Sequence, residues 1–188
     1  FCIAYNSLCM GQLPHTFTQY TSEDGLAQKT IQGIMQDHKG VMWFATWDGL
    51  YKFDGYTFKN YKAHPGDSIG LSNNRLDNIK EDKYGYIWVR SYDHQVYRFN
   101  PRTEQFQAIP YENYLSQDIY VLPCGDVWVV TIQNELIRIT IHPDTQEMKA
   151  TNFFKFHQIS YSERINLIFQ DKQQNQWILT ENGLYRLS

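Results

Sequence analysis

One short pattern returns four times along this chain and governs what it can fold into. Asp37-His38-Lys39-Gly40-Val41-Met42-Trp43 recurs as Asp82-Lys83-Tyr84-Gly85-Tyr86-Ile87-Trp88. It recurs more loosely as Gly125-Asp126-Val127-Trp128 and as Asp171-Lys172-Gln173-Gln174-Asn175-Gln176-Trp177. Tryptophans 43, 88, 128 and 177 lie 45, 40 and 49 residues apart. A repeat of roughly 40–45 residues is one supersecondary unit that cannot bury its faces alone and must stack on copies of itself.

Each unit carries the same elements in the same order. Unit one reads as strands over 30–36, 41–46, 49–53 and 56–61, with turn residues between them. Unit two reads as strands over 76–81, 86–91, 96–99 and 105–109. Unit three gives 118–122, 127–131, 136–141 and 149–156, and unit four gives 165–170, 177–180 and 183–187. No window of helical length shows helical periodicity, so almost no helix is expected. The pattern predicts an all-β fold of four-stranded antiparallel β-propeller blades, a partial propeller of about four blades over residues 12–188. Its units fall at about 25–69, 70–114, 115–160 and 161–188. The four repeated tryptophans are read as packing between blades, and Asp37 and Asp82 as caps of their own turns.

Composition narrows the function classes. The 188 residues are 16% aromatic and carry a formal net charge of -3. With no basic excess and no Lys/Arg cluster, nucleic acid is not an expected partner. No apolar run is long enough to span a bilayer. Residues 1–11, apolar and rich in small residues, are read as the tail of a secretory signal peptide. Of the three cysteines, Cys2 and Cys9 fall in that segment and Cys124 in a turn, so no disulfide framework is expected. The six histidines share no ligand spacing, so neither a metal nor a cofactor is implied, and no nucleophile motif is present.

Gly70-Leu71-Ser72-Asn73-Asn74, followed by Ile79, Asp82, Gly85 and Trp88, is similar to the repeat of the two-component regulator propeller family. So is Trp43-Phe44-Ala45-Thr46-Trp47-Asp48-Gly49-Leu50, followed by Phe53-Asp54-Gly55 and by Phe58 and Tyr61. Phe17-Thr18-Gln19-Tyr20 with Glu23-Asp24-Gly25-Leu26 looks like the start of the mature sensor. The resemblance spans roughly residues 13–188 and is weakest in unit three. It implies the periplasmic sensing region of a hybrid two-component histidine kinase, anchored in the inner membrane and read out through a homodimer. It also implies an oligosaccharide ligand, further blades and a downstream kinase in the same parent chain, none of whose kinase motifs occur here. In a closed ring, Phe17–Tyr20 would complete the final blade.

In such a fold the loops after each second strand and before each first strand share one face. The residues there suit sugars, because aromatic rings stack on pyranose faces and polar groups fix the hydroxyls. Trp47, Asp48, Arg75, Arg90, Tyr92 and His94 are the candidate ligand-binding residues. Two readings compete with sensing. One is a propeller polysaccharide lyase or hydrolase using carboxylates such as Asp48, Asp93, Glu135 and Glu181. The other is a structural, protein-binding propeller.

Overall fold

The structure, a computed structural model, describes residues 17–63, 70–156 and 163–187. The segment read as a signal peptide lies outside them. The fold is all-β, and the described residues form four antiparallel sheets, each a simple meander in chain order. Blade one holds β1 (Ile31–Gln36), β2 (Met42–Thr46), β3 (Gly49–Phe53) and β4 (Phe58–Tyr61). Blade two holds β5 (Leu76–Glu81), β6 (Ile87–Ser91), β7 (Val96–Asn100) and β8 (Gln105–Ala108). Blade three holds β9 (Ser116–Val121), β10 (Val127–Thr131), β11 (Leu136–Ile141) and β12 (Met148–Asn152). Blade four holds β13 (Ile165–Gln170), β14 (Gln176–Thr180) and β15 (Leu184–Leu187).

The repeated aspartate explains why the first hairpin forms in blades one, two and four. Asp37 Oδ1 accepts the backbone N–H groups of Lys39 and Val41, while Oδ2 accepts the indole N–H of Trp43 at 2.9 Å. Asp82 does the same for Tyr84, Tyr86 and Trp88. Asp171 does so for Gln173, Asn175 and Trp177. One carboxylate thus closes the turn and fixes the rotamer of the core tryptophan six residues on.

That tryptophan then faces the next blade. Trp43, Ala45 and Leu50 pack on Leu76, Ile79, Ile87 and Val89. Trp88 and Val96 pack on Ile119, Val127 and Val129. Trp128 and Val130 pack on Ile165, Ile168 and Ile178. Trp43, Trp88 and Trp128 are essentially inaccessible to solvent, whereas Trp177, with no described blade beyond it, is half-buried beside the exposed Phe169 and Leu184. A strand sandwiched between two blades needs apolar residues on both faces, so all five residues of β10 are buried.

A cation completes each unit. The residue paired with the tryptophan on the third strand is Lys52, Arg98, Arg138 or Arg186. In every blade its charge lies 5.6–5.9 Å from that ring's centre. Arg98 is only 1% exposed and is neutralised by Asp82, also fully buried, at 2.9 Å.

Blade three departs from the pattern, and blade four compensates. Leu122 stands where the other turns have aspartate, so Trp128 gives its indole N–H to Gln176 of β14 at 3.0 Å. Gln176 in turn donates to Asp126, which also binds Arg138.

Two expectations need correction. The last strand of unit three stops at Asn152 rather than continuing to 156. The side chain of Asn152 accepts the N–H of Lys155 and starts one turn of helix over Phe153–Phe156, which seats Phe153 edge-on to Trp128. The fourth strand of unit one starts at Phe58, because Asp54 Oδ1 binds the N–H groups of Tyr56 and Thr57 and keeps them in the turn. Phe17–Tyr20, expected as a strand only within a closed ring, has no strand pairing among the described residues, and Tyr20 packs edge-on to Phe53 and Phe58 of blade one.

Candidate functional site

The second strand of every blade ends in a buried hydroxyl residue: Thr46, Ser91, Thr131 or Thr180. Its oxygen holds the following loop. Thr46 Oγ1 donates to the Gly49 carbonyl and accepts from the N–H of Asp48. Thr131 accepts from the N–H of Glu135. Thr180 Oγ1 donates to the Gly183 carbonyl. The residue just after the hydroxyl is thereby turned outward.

That outward residue bonds the residue leading into the blade's first strand. Trp47 N–H donates to Thr30 O (3.2 Å), Tyr92 to Arg75 (2.7 Å), Ile132 to Leu115 (2.9 Å) and Glu181 to Arg164 (3.1 Å). A β-bulge lies at the start of each first strand, at 31/33, 76/78, opposite 130/131 and at 165/167. Such bulges bend the strand end and re-aim its side chains. These four bonds define one rim with equivalent positions in successive blades.

On this rim the structure brings together three of the six predicted residues. The guanidinium of Arg75 lies 5.2 Å from the Trp47 ring centre and 5.7 Å from that of Tyr92. Trp47 belongs to blade one, Arg75 and Tyr92 to blade two, so the cluster bridges the blade junction. All three are exposed, Trp47 at 43% and Tyr92 at 60%. The junction is tied beneath them, since Gly49 N–H donates to the carbonyl of Asn74 and Ala63 N–H to its side chain. Gly49 itself has φ of 106°, and a Cβ there would sit 2.4 Å from the Tyr61 carbonyl oxygen.

The other three residues are occupied by protein partners. Asp48 pairs with Lys62 at 2.6 Å and accepts the Tyr51 hydroxyl at 3.3 Å. Burial, and then the charge of Asp48, push the Tyr51 hydroxyl above its ordinary pKa. Arg90 makes two 2.8 Å bonds to Asp77 and reaches the carbonyl of Gln117 in blade three. His94 Nδ1 lies 2.8 Å from the Ser116 carbonyl, and the His94 carbonyl accepts both the N–H and the hydroxyl of Ser116. Arg90 and His94 therefore hold blade two to blade three, and Asp48 braces the loop that carries Trp47.

Sequence reasoning missed Leu115 and Ile132, which occupy the same two rim positions in blade three and are 38% and 47% exposed. The signal is readable: each outward residue directly follows the hydroxyl that ends the second strand. Among the described residues no group of His, Cys, Asp and Glu gathers as a metal site would require. No described helix is long and apolar enough to cross a membrane.

Comparison with known proteins fits this architecture. Residues 25–48 match the family described as two component regulator propeller. Over 56 residues the chain is 48% identical to "Histidine kinase P4" of Formosa agariphila, an alignment covering 30% of this chain and 4% of that kinase. The fold superimposes on the extracellular domain of a hybrid two-component system from B. thetaiotaomicron. That match has a TM-score of 0.61 and 19% identity, over 91% of this chain and 30% of that one. It also superimposes on virginiamycin B lyase from Staphylococcus aureus, with a TM-score of 0.56 and 14% identity, over 84% and 55% of the two chains. The chain thus spans a small part of the kinase and under a third of the extracellular domain that it matches.

Proposed function

We propose that this chain, whose residues 25–48 match the two component regulator propeller family, serves as an extracytoplasmic ligand-recognition module of a sensor histidine kinase and binds an oligosaccharide on the rim described above. The observation that carries this reading is the exposed Trp47–Arg75–Tyr92 cluster across the junction of blades one and two. A pyranose laid on either ring buries its apolar C–H face, and a nearby fork of N–H donors binds its oxygens. Asp48, Arg90 and His94 contribute by holding the loops that carry these groups. In the periplasm, the ligand would be felt by further blades and a kinase in the parent chain, and transmitted through a dimer.

Calorimetric titration of the folded chain with a panel of oligosaccharides tests the reading. Removing one stacking ring forfeits about 1–2 kcal/mol of burial and contact. Trp47→Ala is therefore expected to weaken binding roughly 5- to 30-fold without lowering the unfolding midpoint. Unchanged affinity in Trp47→Ala and Tyr92→Ala would place the ligand elsewhere, and steady turnover of a bound sugar would favour an enzyme.

A further inference from the structure

We infer that the rim cluster is an anion-reading position: Arg75, held over Trp47 and Tyr92, selects ligands that present a carboxylate or sulfate. The inference rests on the ligand-binding reading of this face and specifies the chemistry of what binds there.

The first argument is the contrast with the three arginines that meet carboxylates. Arg90 is matched by Asp77, Arg98 by Asp82 and Arg138 by Asp126, each within 3.0 Å. Arg75 has no such partner. Among the described residues its guanidinium makes neither an ion pair nor a hydrogen bond, and its contacts are the two aromatic rings. A ring contact orients a planar guanidinium without using its N–H donors. Arg75 is therefore placed with its hydrogen-bonding capacity unspent.

The second argument is the state of the neighbouring acids. Asp48 is paired with Lys62 at 2.6 Å. Asp77 is paired with Arg90. Asp93 accepts the hydroxyls of Ser72 and Ser91. Each of these three carboxylates accepts from another donor, and none is paired with Arg75.

The third argument concerns discrimination. A ligand seated on both rings covers Arg75 and strips water from it. Under a neutral sugar that loss is only partly replaced, and an incompletely solvated charge is costly. Under a carboxylate or sulfate it is replaced by charge-assisted bonds in a geometry that the guanidinium fork matches. The same arrangement therefore favours an acidic sugar and works against a neutral one of equal size. The corresponding position in blade four shows the contrast: Arg164 adjoins Glu181 rather than an aromatic ring.

The test is calorimetric titration of the folded chain with three sets of oligosaccharides: uronate-containing, sulfated and neutral. Acidic members are expected to bind, and their methyl-esterified or desulfated counterparts to bind about 10- to 100-fold more weakly. Arg75→Gln should lose a similar factor and flatten the salt dependence of binding, while Arg75→Lys should recover part of it. Arg75 is exposed, so an unchanged unfolding midpoint is expected in both variants. Neutral oligosaccharides that bind as tightly as acidic ones, with loss on Trp47→Ala but none on Arg75→Gln, overturn the anion preference and leave the rim as the site. Absence of binding by all three sets at millimolar concentration overturns both.

Discussion

The turn aspartates provide a graded test of how the blades are held. Asp37 and Asp82 make the same bonds to their turns and tryptophans, but only Asp82 also neutralises a buried arginine. In Asp82→Asn the amide oxygen can still accept the N–H groups of Tyr84 and Tyr86. The amide nitrogen then faces the Trp88 indole N–H and the guanidinium of Arg98, where Oδ2 accepted from both. Arg98 is 1% exposed, and its remaining bonds go to the carbonyl and side chain of Gln146. Breaking a buried pair by removing one charge costs about 3–5 kcal/mol. In Asp37→Asn only the Trp43 indole loses its acceptor, a cost of about 1–3 kcal/mol. Urea unfolding followed by tryptophan fluorescence and by far-ultraviolet dichroism measures both. The expected order places the midpoint of Asp82→Asn well below that of Asp37→Asn. Equal midpoints for the two variants would refute the claim that the Asp82–Arg98 pair makes blade two's turn different from blade one's.

Three further outcomes follow from the same packing. Gln176→Leu should destabilise the chain by about 1–3 kcal/mol, because the fully buried Trp128 indole loses its partner; an unchanged urea midpoint contradicts the blade-four compensation. Trp88→Ala should cost about 3–5 kcal/mol and Trp177→Ala distinctly less, since only Trp88 is enclosed by two described blades; equal losses contradict the stacking. Burial raises the Tyr114 hydroxyl to about 12, and burial does the same for Tyr120. A group whose folded pKa is raised contributes stability that is complete below its unfolded value of about 10 and is lost as pH rises through about 12. Phenolate absorbance from these two residues should therefore appear only together with alkaline loss of structure, and reversible ionisation near pH 10 in the folded protein contradicts this.

The blade repeat was legible because it is local. The turn, its aspartate and the tryptophan six residues on are set by one hairpin, so they recur in sequence as they recur in space. The paired cation was equally regular, nine or ten residues after each tryptophan, but a lone Lys or Arg in a strand reads as a solvated side chain until its cross-strand partner is known. Gln176 was not legible at all, since its role depends on Leu122 in a different blade. The candidate rim was only partly readable. The offset of Trp47 and Tyr92 from their hydroxyls is local, and sequence reasoning found both. The meeting of Arg75 with both rings depends on the angle between blades one and two. The same dependence governs Arg90, whose length and charge suggested a ligand contact but whose reach ends on Asp77 and Gln117.

The indole N–H signals of the five tryptophans give the most direct test of the rim as a binding surface. Trp43, Trp88, Trp128 and Trp177 each donate to a side chain inside the fold, whereas Trp47 is exposed. In a nitrogen–proton correlation spectrum recorded during titration with the tightest-binding oligosaccharide of the panel, the Trp47 signal should shift with the ligand while the other four stay in place. Saturation of binding with the Trp47 signal unmoved would contradict the account.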